Sequence, residues 1–347
     1  MKKISVIIPC FNASLYIDRC FHSLEDQTIG IDNLEIIAAD DCSGDDTLEK
    51  LNAWKERYPD SVKVLPLKER SLQGAARNQA ISIAEGDYIA FLDADDWLLP
   101  MALEHIYEKA VKSNAEITGY YSRTATEYSP DDLDYEREGK SRLIRLDGTK
   151  ELIELLYSGI TMRGCWDKLY KRSFVIKNGF RFAEGVFDEE SLFTIPAFLS
   201  AGRYYLLNED LHRYYENLES TVFKLVRDGS HRDDNAKTWF QLYLFLRDKG
   251  FLKREPEITE ALFVQNYFNR SFLINIPRNL WYDPKTVSEM QNTVKVLFPG
   301  YLDNPILKQM RSLKYLKEML DYPVNSENMQ GFYDILGEFE ANVGNEL

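Results

Sequence analysis

The sequence is poor in several residues that would mark a function at a glance. Of 347 residues, four are cysteine and four are histidine. Cys10, Cys20, Cys42 and Cys165 are scattered with no C-x-x-C pair. That spacing excludes the usual zinc ligand sets and suits a reducing compartment. Positive charge is also scarce: 42 Lys and Arg face 56 Asp and Glu, a net charge of −14. A nucleic-acid partner is therefore set aside, because phosphate backbones are held by basic patches. Broad docking on anionic lipid is disfavoured for the same reason. No apolar run approaches membrane-spanning length. The opening MKKISVIIPCFN has too short an apolar stretch for a signal peptide and reads as the approach to a first strand. Neither a G-x-G-x-x-G nor a G-x-x-x-x-G-K-[ST] loop occurs, which argues against a nicotinamide dehydrogenase and a P-loop NTPase.

What is present is the composition of a soluble globular protein, 44% hydrophobic and 28% charged. The length suggests a main domain with an addition. The 21 Tyr and 19 Phe suit carbohydrate-handling surfaces and ordinary cores alike. Apolar runs at 4–8, 34–39, 62–65, 88–92 and 117–121 read as strands. Helical stripes lie between them, at 17–24, 48–54, 73–84 and 103–110. Asn12 or Ser14 is expected to cap the first helix. Strands alternating with helices predict an open, mostly parallel α/β sheet, whose ligands bind at the carboxyl ends of strands. Residues 122–145 read as a polar excursion, a hairpin at most. A short helix at 149–157 follows, then closing strands at 204–207 and 211–215. After about Val226 the pattern turns helical, with stripes at 239–246, 262–272, 306–320 and 332–339 and breaks near Pro256, Pro284, Pro299 and Pro323. These stripes are expected to form the tail's own core, with a dimer face or acceptor-docking surface as the lesser alternative.

The chemistry concentrates at Tyr88 to Leu98, YIAFLDADDWL. A buried strand runs straight into Asp93, Asp95 and Asp96. Gathering three carboxylates there is costly unless a cation shares the site, and oxygen donors select Mg²⁺ or Mn²⁺. The plainer alternative is an exposed acidic turn. Asp40-Asp41 ends another strand and could contact a ligand or cap the helix beginning near Gly44. Asp188-Glu189-Glu190 precedes an apolar helical stretch, where acids suit the macrodipole or do chemistry. Arg77 could be a surface arginine or a cation for developing charge. Trp166 could anchor a core or carry a sugar.

Taken together, the segments SVIIPCFNASLYIDRCFHSLEDQT, LEIIAADDCSGDDT, GAARNQAI, GDYIAFLDADDWLLP, CWDKLYKRSF and FDEESLF resemble family 2 glycosyltransferases, in family order from residue 4 to about 221. The resemblance implies a GT-A fold, a Rossmann-like, mostly parallel open sheet with flanking helices, plus an all-helical C-terminal region. The implied division is a catalytic domain over 1–228, with the nucleotide-sugar part at about 1–121 and the acceptor part at about 122–228, and a helical domain over 229–347. Pro9, Phe11, Asn12, Asp41, Gly74, Arg77, Asn78, Asp93 and Asp95 would then bind the nucleotide sugar, Asp41 at the uracil and Asp93 at the ribose. Asp95 would hold Mn²⁺ or Mg²⁺ on the diphosphate, with His212 either completing the metal shell or serving the structure. Asp96 would support the acceptor side, which Trp166 and Lys168 would border. Glu190 stands where the family usually has its catalytic aspartate, with Glu189 or Asp188 as alternatives. The implied reaction is inverting transfer from a UDP-sugar to a hydroxyl of a glycan, lipid-linked or protein-linked acceptor in bacterial surface-polysaccharide or glycoconjugate synthesis. Its implied setting is the cytoplasm, with peripheral membrane association and a homodimer through the tail as secondary expectations. A sugar-nucleotidyltransferase and a non-enzymatic nucleotide-sugar-binding subunit are the competing readings.

Overall fold

The computed structural model describes residues 2–129, 132–146, 148–157, 164–217, 231–275 and 281–343. The chain divides into two compact units. One comprises Met1–Leu152 and Thr161–Glu219, the other Ile153–Ile160 and Ser220–Leu347. The expected boundary at 228/229 lies outside the described residues. Among the described residues no helix is long and apolar enough to cross a membrane.

The first unit is built on a nine-stranded mixed sheet. Its strands are β1 (Ile4–Cys10), β2 (Leu34–Asp40), β3 (Val62–Pro66), β4 (Tyr88–Phe91), β5 (Trp97–Leu98), β6 (Ile117–Ala125), β7 (Arg142–Arg145), β8 (Lys168–Lys171) and β9 (Arg203–Tyr215). Spatial order is β3-β2-β1-β4-β8-β6-β9-β5, with β7 also on β9. The β3-β2-β1-β4 part is parallel. β1, β2 and β4 are buried along almost their whole length, as strands covered on both faces must be, so they read as unbroken apolar runs. The covering helices are α1 (Ile17–Glu25), α2 (Thr47–Arg57), α3 (Leu72–Ile83), α4 (Ala102–Ser113), α6 (Arg172–Asn178) and α7 (Ser191–Ser200), while α5 (Thr149–Tyr157) begins in this unit and ends in the other.

Register brings the site together. Cys10 pairs with Asp40, and Ile7 lies between Ile37 and Phe91. The loops after β1, β2 and β4 therefore leave the sheet at one edge. The chain turns to opposite sides of β1 for β2 and β4, and such a switch point opens a crevice for a ligand.

Several sequence expectations are corrected. The two closing strands are one continuous β9 of 13 residues. β8 inserts antiparallel between β4 and β6, so the sheet is mixed beyond β4. α1 has Tyr16 at its cap with no side-chain cap bond, and Asn12 bridges to Gly44 instead.

The second unit is helical, with helices at Asp234–Asp248, Pro256–Phe263, Pro284–Leu297, Leu313–Asp321 and Met329–Asn342 as its main parts. Pro284 starts a helix rather than breaking one. Proline is tolerated at N1, and Asp283 caps the turn by accepting from Thr286 N at 3.0 Å. The expected helix over 306–320 is a short 3₁₀ turn, Leu307–Gln309, then an extended Met310, then the helix from Leu313.

Candidate active site

Asn12 sits at φ 48° after β1 and ties two loops together. Its Oδ1 accepts from Gly44 N at 2.8 Å, and its own N donates to Ser43 Oγ at 3.0 Å. Beside it, Phe11 carries the Arg70 guanidinium on its ring at 3.9 Å. Pro9 is the penultimate residue of β1, opposite Ala39.

Asp41 caps a helix, although a different one from that expected. Its two carboxylate oxygens accept from Ser71 N at 2.6 Å and Leu72 N at 2.8 Å, at the start of α3. Burial nevertheless raises its pKa above the ordinary value. Leu72 holds φ 64°, a strained conformation for a leucine.

α3 also carries Gly74, Arg77 and Asn78, and all three meet the segment 182–189. A Cβ on Gly74 would lie 2.0 Å from Ala183 O, so only glycine allows this approach. Asn78 pairs with the Phe182 backbone like a neighbouring strand, donating to its O at 3.0 Å and accepting from its N at 2.9 Å. Arg77 is buried and forked. One arm donates to Glu189 and the other to Asp93 Oδ1 at 2.7 Å. Gln73 Nε2 donates to the second oxygen of Glu189 at 3.2 Å. Burial pushes the Glu189 carboxyl up and Arg77 pulls it back down.

Glu190, at the cap of α7, is partly exposed. Its Oε1 accepts from Cys165 N at 3.0 Å. Burial raises its pKa; Arg77 opposes that rise and Asp93 adds to it, so the three lie within one electrostatic neighbourhood. Cys165 precedes Trp166, whose ring stacks on His212 at 4.9 Å and on Tyr214 at 6.3 Å.

In the loop after β4, Asp93 keeps 32% of its side chain exposed. Asp95 is pushed up to about 6, by burial first and then by the charge of Asp96, while the Asn217 hydrogen bond opposes the rise. Asn217 Nδ2 donates to Asp95 Oδ2 at 3.0 Å. Asp96 is buried, with Oδ1 accepting from Tyr215 N at 2.8 Å. Its Oδ2 lies 3.0 Å from His212 Nε2, an ion-pair distance with poor hydrogen-bond angles.

The structure thus brings Asp93, Arg77, Glu189 and Glu190 together around one guanidinium, with Asp95 two residues from Asp93. It does not bring Lys168 into the cleft. Lys168 is fully buried, its ammonium donating to Gly164 O at 2.6 Å and to Asp167, so this cation is taken up by the chain's own groups. Of the His212 ring nitrogens, Nδ1 is taken by Ser122 Oγ at 2.7 Å, while the buried Nε2 faces Asp96 Oδ2 at 3.0 Å without a hydrogen bond. Arg19, Arg70, Gln73, Tyr214 and Asn217 were not singled out by the sequence. Arg19, Gln73 and Tyr214 fall inside expected helices or strands and none of the five lies in an acidic cluster, so no local signal marks them as site residues.

Among the described residues no group of three His, Cys, Asp or Glu side chains is poised to hold a metal alone. A hard divalent ion does not require one, since one or two carboxylates plus substrate phosphates suffice. Asp95 fits that pattern: it is buried beside like charges, has Asn217 as its side-chain donor, and is held against its own ionisation.

The family model for glycosyl transferase family 2 matches residues 5–179, just over half the chain. A poly(ribitol-phosphate) β-glucosyltransferase of Bacillus spizizenii is 31% identical over 292 residues, 83% of this chain and 43% of its own length. The poly(ribitol-phosphate) β-N-acetylglucosaminyltransferase TarS of Staphylococcus aureus is 29% identical over 336 residues, 92% of this chain and 54% of its own. The chain thus spans about half the length of these two relatives. A crystal structure of S. aureus TarS residues 1–349 in complex with UDP-GlcNAc superposes with a TM-score of 0.70 at 19% identity, covering 98% of this chain and 92% of that one. The sheet order, the acidic loop after β4 and these matches agree: the chain belongs to the family 2 glycosyltransferases, on a GT-A fold with a helical C-terminal region.

Proposed function

We propose that the chain transfers a hexose or N-acetylhexosamine from a UDP-sugar, with inversion, to a hydroxyl of a poly(ribitol phosphate) or similar surface polymer. The observation that carries this reading is the position of Arg77. It is fixed by Glu189 and Asp93 and lies in the field of Glu190, so the donor-side loop and a partly exposed carboxylate share one cation. The names and substrates of the relatives support the choice of donor and acceptor.

In this reading Phe11, Arg70 and Asp41 hold the base, and Asp93 faces the ribose. Asp95 would hold Mn²⁺ or Mg²⁺, which when bound stabilises negative charge on the leaving diphosphate. Arg77 supplies a preorganised positive charge beside it. Glu190 takes the proton of the acceptor hydroxyl as that oxygen attacks the sugar carbon. A pKa raised by burial suits a base that must gain a proton. Glu189 holds Arg77, Asp96 holds the end of β9, and Trp166 with Tyr214 offers an aromatic face to the acceptor. In this reading the reaction runs in the cytoplasm, and vesicle flotation tests peripheral membrane attachment. Sedimentation tests a dimer through the tail.

The experiment is UDP release from a panel of UDP-sugars with Mn²⁺, with and without poly(ribitol phosphate). Acceptor-dependent release, lost in Asp95→Asn, is expected. Acceptor-dependent release that survives Asp95→Asn would refute the metal role. Tight UDP binding without turnover on any acceptor would favour a non-enzymatic binding subunit.

A further inference from the structure

Two groups outside the acidic motif grip Asp95 from different elements. From α1, Arg19 donates an Nη2 hydrogen bond to the Asp95 carbonyl. Its guanidinium is caged by aromatic rings, 4.3 Å from the Tyr215 centroid, 4.5 Å from Trp97 and 5.6 Å from Tyr16. Aromatic rings around one guanidinium favour the cation where it stands, and so hold its hydrogen-bond donor at the Asp95 carbonyl. From beyond β9, Asn217 donates to Asp95 Oδ2 at 3.0 Å, while its own Oδ1 accepts from Tyr16 Oη at 3.2 Å. That second bond fixes which way the amide faces, because only the nitrogen can then point at the carboxylate. Tyr16 therefore serves both, as one wall of the Arg19 cage and as the anchor of Asn217.

We propose that Arg19, Asn217 and Tyr16 are positioning residues for the donor cation: they lock the backbone and one oxygen of Asp95, leaving its other oxygen aimed at the cation and diphosphate. This rests on the donor reading above. Lysine could keep the charge at Arg19 but could not lie flat in the cage, and phenylalanine could keep the Tyr16 ring while losing the hydroxyl. Outer partners of metal-holding carboxylates characteristically change metal affinity by about 10–100-fold when removed.

The test measures Mn²⁺ half-saturation, KM for the UDP-sugar, KM for the acceptor and UDP binding by calorimetry, for wild type, Arg19→Lys and Tyr16→Phe. Arg19→Lys is expected to raise the Mn²⁺ half-saturation and the donor KM by about tenfold or more, with the acceptor KM unchanged. Tyr16→Phe is expected to shift the same two constants in the same direction by a smaller factor, with the melting temperature near wild type. A merely structural role would lower the active fraction, and so kcat, without separating donor from acceptor. Both variants keeping wild-type cation and donor constants would overturn the proposal while leaving the donor reading intact. A wild type that neither binds UDP with Mn²⁺ nor releases it would overturn both.

Discussion

Adjacent glutamates at the start of α7 have different surroundings. Glu189 is buried, with Arg77 on one oxygen and Gln73 on the other. Glu190 is partly exposed and tethered through Cys165 N. Glu190→Gln is therefore expected to lower turnover by about 10²–10⁴-fold with an unchanged denaturation midpoint, as loss of a general base does. Steady-state kinetics and urea melts check this together. Glu189→Ala should behave otherwise, leaving a buried guanidinium half-paired at a cost of about 3–5 kcal/mol. Equal melts for the two variants would contradict the assignment. The presence of an acid pair was legible in the sequence, but its different surroundings were not. Burial alternates along a helix start in a way that only packing decides. Lys168 shows the same limit: nothing in its segment signals the complete burial that a carbonyl and a carboxylate compensate.

At the scale of elements, α3 connects the two ends of the site. Its first turn is capped by Asp41, and its next turns dock the 182–189 segment through Gly74, Arg77 and Asn78. Gly74→Ala must push Ala183 away from a 2.0 Å approach to backbone, which a flexible side chain cannot relieve. Such overpacking is expected to cost about 1–3 kcal/mol and to displace Glu189 and Glu190, lowering kcat. Chemical denaturation and kcat measured on the same sample check both effects. The strands β1, β2 and β4 and most helices were legible because each carries a complete period of its own. β5, of two residues, and β8, whose sequence KLYK has a lysine at each end, were not. β9 read as two strands because Asn208, Glu209 and Asp210 interrupt its apolar pattern. There the buried carboxylate of Asp210 is met by Arg123 and Arg137 rather than by solvent.

In a chain with an excess of 14 negative charges, Asp93, Asp95 and Asp96 leave the sheet together at one edge. That gathering has a cost in stability, and its sign follows from proton binding. Asp95 is raised from 3.8 to about 6 in the fold, so the folded chain holds this proton more tightly than the unfolded chain does. Asp95's contribution must therefore fall as pH rises from about 4 through about 6, and it remains unfavourable above that range. A divalent cation competes with the same proton. Mn²⁺ is thus expected to raise the melting temperature little at pH 5 and by several degrees at pH 7.5, because a ligand at about 100 times its Kd adds about 2.7 kcal/mol. Asp95→Asn should remove both dependences at once. Without cation at pH 7.5 it should melt above the wild type, since an amide carries no charge to be repelled by Asp96 and can still pair with Asn217. Differential scanning fluorimetry across pH, with and without Mn²⁺, reads all four arms. A wild type whose Mn²⁺ shift is the same at pH 5 and pH 7.5 would show that the cation, if it binds, does not bind at Asp95.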